Sequence, residues 1–170
     1  MDVFEAIRTV LAVRSYRPDP VPEAVIARIV EAGRLSASSM NRQPWHFVVV
    51  DDRAVLQQLA PLAKTGPYIA EAPLAIAVAV EKESRFGVSD GSRAVQSMVL
   101  AAWEEGVGSN WVGFGGMEEV ARLLGIPGAY EILAVVPFGY PTDPGGKGEK
   151  KRKPLGEVAS RGRFGTPFGG

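Results

Sequence analysis

Ser36-Ala37-Ser38-Ser39-Met40-Asn41-Arg42-Gln43-Pro44-Trp45-His46-Phe47-Val48-Val49-Val50 is the stretch on which the reading of this chain turns. Its first nine residues are small or polar and end on a proline, the composition of a loop. Its last six are aromatic, β-branched or histidine, the composition of a strand. Asp51-Asp52 closes that strand.

On the C-terminal side, Ala54 to Leu62 reads as a helix and Lys64 to Pro73 as a loop. Leu74-Ala75-Ile76-Ala77-Val78-Ala79-Val80 is a continuous apolar run, which suits a strand covered on both faces. Asp90 to Glu105 reads as the central helix, with Asp90 as its N-cap and Ala94, Met98, Ala101 and Ala102 along one side. Gly106-Val107-Gly108 ends it. Ser109 to Gly113 reads as a short strand, Met117 to Leu124 as a helix stopped by Gly125 and Pro127, and Glu131 to Pro137 as a last core strand. From Gly139 onward, glycine, proline and basic residues resemble a poorly ordered terminus.

On the N-terminal side, Asp2 to about Leu11 reads as a helix with Val3, Phe4, Ile7 and Val10 near helical spacing. Pro18, Pro20 and Pro22 then force an extended connector. Pro22 suits the first turn of a helix that runs to Leu35, with a stripe of Val25, Ile26, Ile29 and Val30. Helices and strands mix without strict βαβ alternation, so the fold class is α+β.

The whole is one domain's worth of chain: 170 residues, 46% of them hydrophobic. A net charge of zero argues against a nucleic-acid or membrane-surface partner. The chain has no cysteine and one histidine, which excludes thiolate chemistry and multi-histidine metal sites, so no metal is expected. Met1 to Glu5 lacks a basic leader and an apolar signal core, and no run has the length of a membrane span; a cytoplasmic protein is the expectation.

Three segments in order resemble the nitroreductase family. The first is Val13-Arg14-Ser15-Tyr16-Arg17-Pro18-Asp19-Pro20-Val21-Pro22. The second, and the most specific, is Ser36 to Phe47 with its serine pair, asparagine and Gln43-Pro44-Trp45. The third begins with Gly106-Val107-Gly108-Ser109-Asn110-Trp111-Val112-Gly113-Phe114 and continues through Pro137-Phe138-Gly139-Tyr140-Pro141 to Lys150-Lys151-Arg152-Lys153-Pro154-Leu155. The resemblance implies a mixed sheet flanked by helices and an intertwined homodimer with FMN at the interface. It implies ping-pong electron transfer from NADH or NADPH to a quinone, nitroaromatic or similar small-molecule acceptor. Residues 1–170 would form the single domain, with 142–170 a C-terminal extension against the partner subunit and Phe164 and Phe168 as its anchors.

The resemblance also assigns roles. Arg14, Lys150 and Arg152 would meet the dianionic FMN phosphate, which wants cations. Ala37, Ser38, Ser39 and Asn41 would belong to the loop that the partner lays against the flavin, hydroxyl and amide groups meeting ring edge and polyol. Trp111, Val112 and Gly113 would lie beside the ring's central nitrogen, with the Gly113 N–H as the catalytic donor. Taken alone, Lys147 to Lys153 is a solvated basic tail and Ser36 to Asn41 a surface loop. Arg17, His46 and Trp45 read as structural. The chain departs from the family's pattern at Val10, Leu11 and Ala12, where relatives often carry basic residues and a serine; Lys64 is a candidate replacement charge. Two rivals stand beside this reading: another chemistry on the same scaffold (reductive dehalogenation, flavin fragmentation or deazaflavin-linked transfer), and a weakly catalytic flavin-binding protein.

Overall fold

The computed structural model describes residues 1–143 and 150–168. The four strands are β1 (Trp45–Val50), β2 (Leu74–Glu81), β3 (Gly108–Ser109) and β4 (Tyr130–Gly139). They pair antiparallel in the order β1-β2-β4-β3. The parallel element of the sheet is a single bridge between Ala12 and Ser109.

The apolar run sits where its composition sends it. Leu74 to Val80 of β2 are all buried. Leu74, Ile76 and Val78 pack under the layer that holds Ile26, Ile29 and Met98, while Ala75 and Ala77 face Leu56, Leu59 and Val120 on the other side. The alternation follows from the two-residue period of a strand. The first layer is α2 (Glu23–Arg34) and α4 (Gly87–Glu104); the second is α3 (Arg53–Leu62) and α5 (Met117–Leu123). Each large aliphatic side chain so enclosed contributes about 1.5–3 kcal/mol. Gly91 of α4 permits the closest approach to the sheet, since a Cβ there would stand 2.7 Å from Leu133 Cδ2.

Several expectations shift. The first helix, α1 (Val3–Thr9), stops at Val10, and its buried face is Ala6 and Thr9. Val3, Phe4 and Ile7 point outward instead, because α1 turns its polar Thr9 to the indole N–H of Trp103 on α4. Pro22 is the cap of α2, not its first helical residue. Asp90 is not an N-cap: α4 begins at Gly87, Phe86 occupies the cap, and Asp90 lies buried in the first turn. The strand expected at Ser109 to Gly113 is shorter, because after Ser109 only Val112 pairs, exchanging hydrogen bonds with Val135. β4 runs to Gly139 and is almost wholly buried. The tail is not formless over 150–168: α6 (Leu155–Val158) and a Ser160–Pro167 bridge order it, with nearly every side chain exposed. Lys147, part of the expected basic stretch, and part of the 142–170 extension lie outside the described residues. Among the described residues no helix is long and apolar enough to cross a membrane, and no group of His, Asp and Glu could hold a metal.

Candidate functional site

One end of the sheet collects cations. After α1 the chain straightens, Ala12 bridges Ser109 of β3, and the Val13 N–H donates to Ser109 O at 2.9 Å. Gly108 allows this, as a Cβ there would lie 2.4 Å from Val13 Cγ2. Arg14 thereby lines a cavity of about 210 Å³ together with Leu11, Ala12, Trp103, Thr142 and Asp143. Lys150 returns to the same end and donates to Ile7 O at the close of α1. Burial lowers the Lys150 ammonium from its ordinary range, and the neighbouring Arg152 guanidinium adds to the shift. None of Arg14, Lys150 and Arg152 makes an ion pair among the described residues. Lys150 and Arg152 repel each other, while the cavity beside Arg14 also carries the Asp143 carboxylate. The departure residue Leu11 faces this cavity and is half-buried, while Lys64 is displaced from it and packs on Gly115.

The same strand edge carries the glycine segment. Val112 both donates to and accepts from Val135, at 3.0 and 2.8 Å. Among the described residues no hydrogen bond engages the next N–H, that of Gly113. A Cβ at Gly113 would stand 2.6 Å from Trp111 Nε1, so glycine lets the half-exposed indole lie against the backbone here. Asn110 donates to the Tyr68 hydroxyl, and Tyr16 sits beneath, its hydroxyl donating to Val13 O at 2.7 Å. Burial pushes the Tyr16 phenol far up, with Tyr68 adding and Arg14 opposing.

The loop at 36–44 lies elsewhere. The Ser39 N–H and hydroxyl both donate to the Asp90 carboxylate, at 2.9 and 3.2 Å. Ser38 Oγ accepts from the Gln43 N–H at 3.0 Å, and Asn41 Oδ1 accepts from Gln43 Nε2 at 3.2 Å. Ala37 and Asn41 are exposed, and the amide NH₂ of Asn41 makes no hydrogen bond among the described residues. Ser39 is thus tied to Asp90, and the Arg14 cavity to Trp103. Thirteen residues of α4 separate those two anchors, about 20 Å at 1.5 Å per residue. Arg14 follows the Ala12–Ser109 bridge to β3, Lys150 bonds the end of α1, and Trp111 to Gly113 continue from β3 along the sheet edge. The structure holds Ser39 at the start of α4 through Asp90, and Ser36, one residue before Ala37, at the middle of α4, where its hydroxyl donates to Ser97 Oγ at 2.7 Å.

The remaining expectations resolve simply. Arg17 lies 5.3 Å over the Tyr140 ring and pairs with Asp19. His46 is exposed on the edge strand β1, edge-on to Tyr130. Trp45 is half-buried and stacks on Phe47. Phe164 is fully exposed, and Phe168 carries Arg161 over its ring. Sequence reasoning missed Tyr68, which gives no local signal, and the partnership of Asp90 with Ser39. An aspartate just inside a strong helix pattern was the one available hint of the latter.

Comparison with known proteins gives a consistent answer. The nitroreductase family matches residues 8–87 and 63–140. A protein of Methanothermobacter thermautotrophicus, provisionally named NADH dehydrogenase/NAD(P)H nitroreductase, is 36% identical over 151 residues, covering 84% of this chain and 79% of that one. The crystal structure of a Bacteroides thetaiotaomicron protein with the same provisional name superposes with a TM-score of 0.87 at 30% identity, over 95% of this chain and 97% of that one. An FMN-dependent nitroreductase of Clostridium difficile gives a TM-score of 0.80 at 25% identity, over 91% and 94% of the two chains.

Proposed function

The chain belongs to the nitroreductase family and is an oxidoreductase, and on that premise we propose that it binds FMN and passes electrons from NADH or NADPH to a quinone, nitroaromatic or similar electron-poor acceptor by a ping-pong mechanism. The observation that carries this reading is that, among the described residues, Arg14, Lys150 and Arg152 make no ion pair and the Gly113 N–H makes no hydrogen bond. A phosphorylated flavin matches that donor set: a dianion for the cations, and a ring nitrogen for the backbone donor. Held there, FMN would supply the two-electron transfer chemistry that the side chains of this protein lack.

The protein's own part is binding and orientation. Arg14, Lys150 and Arg152 hold the phosphate. Trp111, Val112 and Gly113 present backbone to the ring, the Gly113 N–H being the catalytic contact. Ser39 is tied to the start of α4 and the Arg14 cavity to Trp103 near its end, and on this reading a second copy provides the loop with Ala37, Ser38, Ser39 and Asn41 in a homodimer. Exposed Val3, Phe4 (73% exposed) and Ile7, with Phe164 and Phe168 of the 142–170 extension, give that copy an apolar surface to cover. The same reading puts the protein in the cytoplasm with its nicotinamide reductant.

The test is an absorption spectrum of the purified protein with added FMN, together with light scattering. The expected outcome is a yellow protein of twice the chain mass that oxidises NAD(P)H with generic acceptors. In it, Arg152→Ala weakens FMN by about 1.5–3 kcal/mol, whereas Lys151→Ala changes little. A clean monomer that still holds FMN overturns the shared site. Bound flavin without turnover on any such acceptor favours another chemistry on the scaffold, and a colourless protein that FMN cannot reconstitute favours a protein that does not use flavin.

A further inference from the structure

Asp90 is the charged residue most deeply enclosed in this fold. It is fully buried in the first turn of the longest helix, where the helix dipole favours an anion. Its Oδ2 accepts from the Ser39 N–H at 2.9 Å, and its Oδ1 accepts from the Ser39 hydroxyl at 3.2 Å and from Arg93 Nη1 at 3.0 Å. Two of these three bonds go to a loop remote in sequence, and the third comes from Arg93 one turn along α4. A helix opening needs no such residue, since Asp90 is already past the cap. The neighbouring Gly91 seats this turn of α4 directly on Val80 and Leu133 of the sheet, so whatever Asp90 holds is referenced to the rigid centre of the molecule.

What it holds is a strained segment. Met40, Asn41 and Gln43 have φ of 54°, 54° and 52°, and none is glycine. Such residues persist only where their surroundings over-determine them. The loop's internal bonds, Gln43 N–H to Ser38 Oγ and Gln43 Nε2 to Asn41, brace it against itself. Its ends are held where Ser36 donates to Ser97 Oγ and Pro44 O accepts from the Glu81 N–H, and Asp90 supplies the tie between those ends.

We propose that Asp90 is the positioning residue of the flavin-facing loop: its buried carboxylate, through Ser39, fixes Met40 to Gln43 in the left-handed conformation that presents Ser38 and Asn41 to the ring and polyol of a flavin held by the second copy. The inference rests on the flavin reading above. It predicts that Asp90 acts on the ring end of the ligand and not on the phosphate end, which Arg14, Lys150 and Arg152 serve from the opposite end of α4.

The experiment compares FMN and riboflavin affinities of the full-length wild type, Asp90→Asn and Asp90→Ala, with amide exchange measured at 39–43 and at 94–98. Asp90→Ala is expected to weaken FMN and riboflavin by the same factor, tenfold or more. Asp90→Asn, which keeps an acceptor for the Ser39 N–H, is expected to weaken both about threefold. Exchange at 39–43 should accelerate in the same order while 94–98 stay protected. Arg152→Ala serves as the contrast, weakening FMN and sparing riboflavin. Where Asp90→Ala does not fold, the threefold effect of Asp90→Asn carries the test. Unchanged flavin affinity in the Asp90 variants overturns the inference, as does a change in the FMN to riboflavin ratio. Loss of protection at 94–98 together with 39–43 overturns it too, by showing Asp90 to be only a fold residue. A wild type that binds neither flavin overturns the flavin reading and this inference with it, an outcome distinct from a wild type that binds and a variant that binds equally well.

Discussion

The loop at 38–44 places Met40, Asn41 and Gln43 at φ of 54°, 54° and 52°, whereas the loop at 113–116 reaches the same region through Gly115 and Gly116 at 73° and 78°. For a residue with a Cβ that region costs about 1–2 kcal/mol, and for glycine almost nothing. The first loop accepts the cost and is braced by Asp90, Ser38 and its own amides. The second has no Cβ to strain at these two positions. The difference matches what each loop offers. A segment that must show side chains to a ligand cannot be made of glycine, so it has to be held. A segment that offers a backbone N–H can be.

Three substitutions would break or sharpen this contrast. The largest effect belongs to Gly116→Ala. A Cβ there would lie 1.7 Å from Leu62 O, a backbone atom that cannot swing aside, and φ is +78°. We expect a loss of about 3 kcal/mol or more, of the order of core overpacking plus a left-handed penalty, read as a fall in melting temperature of about 6–12 °C. A variant that melts with the wild type would mean that the second loop does not need its glycine. Next comes Ser38→Ala. The Gln43 N–H loses its acceptor at 3.0 Å, but the site is partly open to water, so the cost should be about 0.5–1.5 kcal/mol. Faster exchange of the Gln43 amide would report it, and unchanged exchange would remove Ser38 from the bracing. The smallest effect is of opposite sign. Met40 is largely exposed and holds φ of 54° within the short turn Ser39–Asn41. Met40→Gly relieves the backbone at the expense of a more flexible unfolded chain, and a net gain of up to about 0.5 kcal/mol is expected in denaturant unfolding. A clear loss would show that this turn is not strained, and would weaken the case for a tether.

Much of the fold was legible because its signals are local. The apolar run at 74–80 announced a strand covered on both sides, and β2 is buried on both. The loop-to-strand stretch at 36–50 behaved as read, with β1 at Trp45–Val50. The family match spans residues 8 to 140, which takes in the first two of the segments that suggested the family and the third as far as Tyr140. The candidate site was legible only in part. Arg14 lines the cavity beside β3, Lys150 bonds the end of α1, and among the described residues the Gly113 N–H makes no hydrogen bond. That Ser39 gives its hydroxyl proton and its N–H to Asp90 was not readable, since an aspartate near a helix start looks the same whether it caps the helix or is buried beside a loop 51 positions away. The outward turn of α1 was equally hidden. Val3, Phe4 and Ile7 have core-like spacing, and only the bond from Trp103 to Thr9 at 2.9 Å shows which face the helix gives to its own chain.

By itself, then, the sequence determined the elements, the buried strand and the family, because side-chain periodicity and short motifs are properties of neighbouring residues. The tertiary structure alone decided which polar groups spend their hydrogen bonds inside the fold and which stay available. It also decided that Ser39 is tied to Asp90 at the start of α4 while Trp103 near its end lines the cavity that holds Arg14. Hydrogen bonds between distant residues and distances along a packed helix are set by how elements dock, and docking is fixed by the sum of all contacts across the core, which no short stretch of sequence contains.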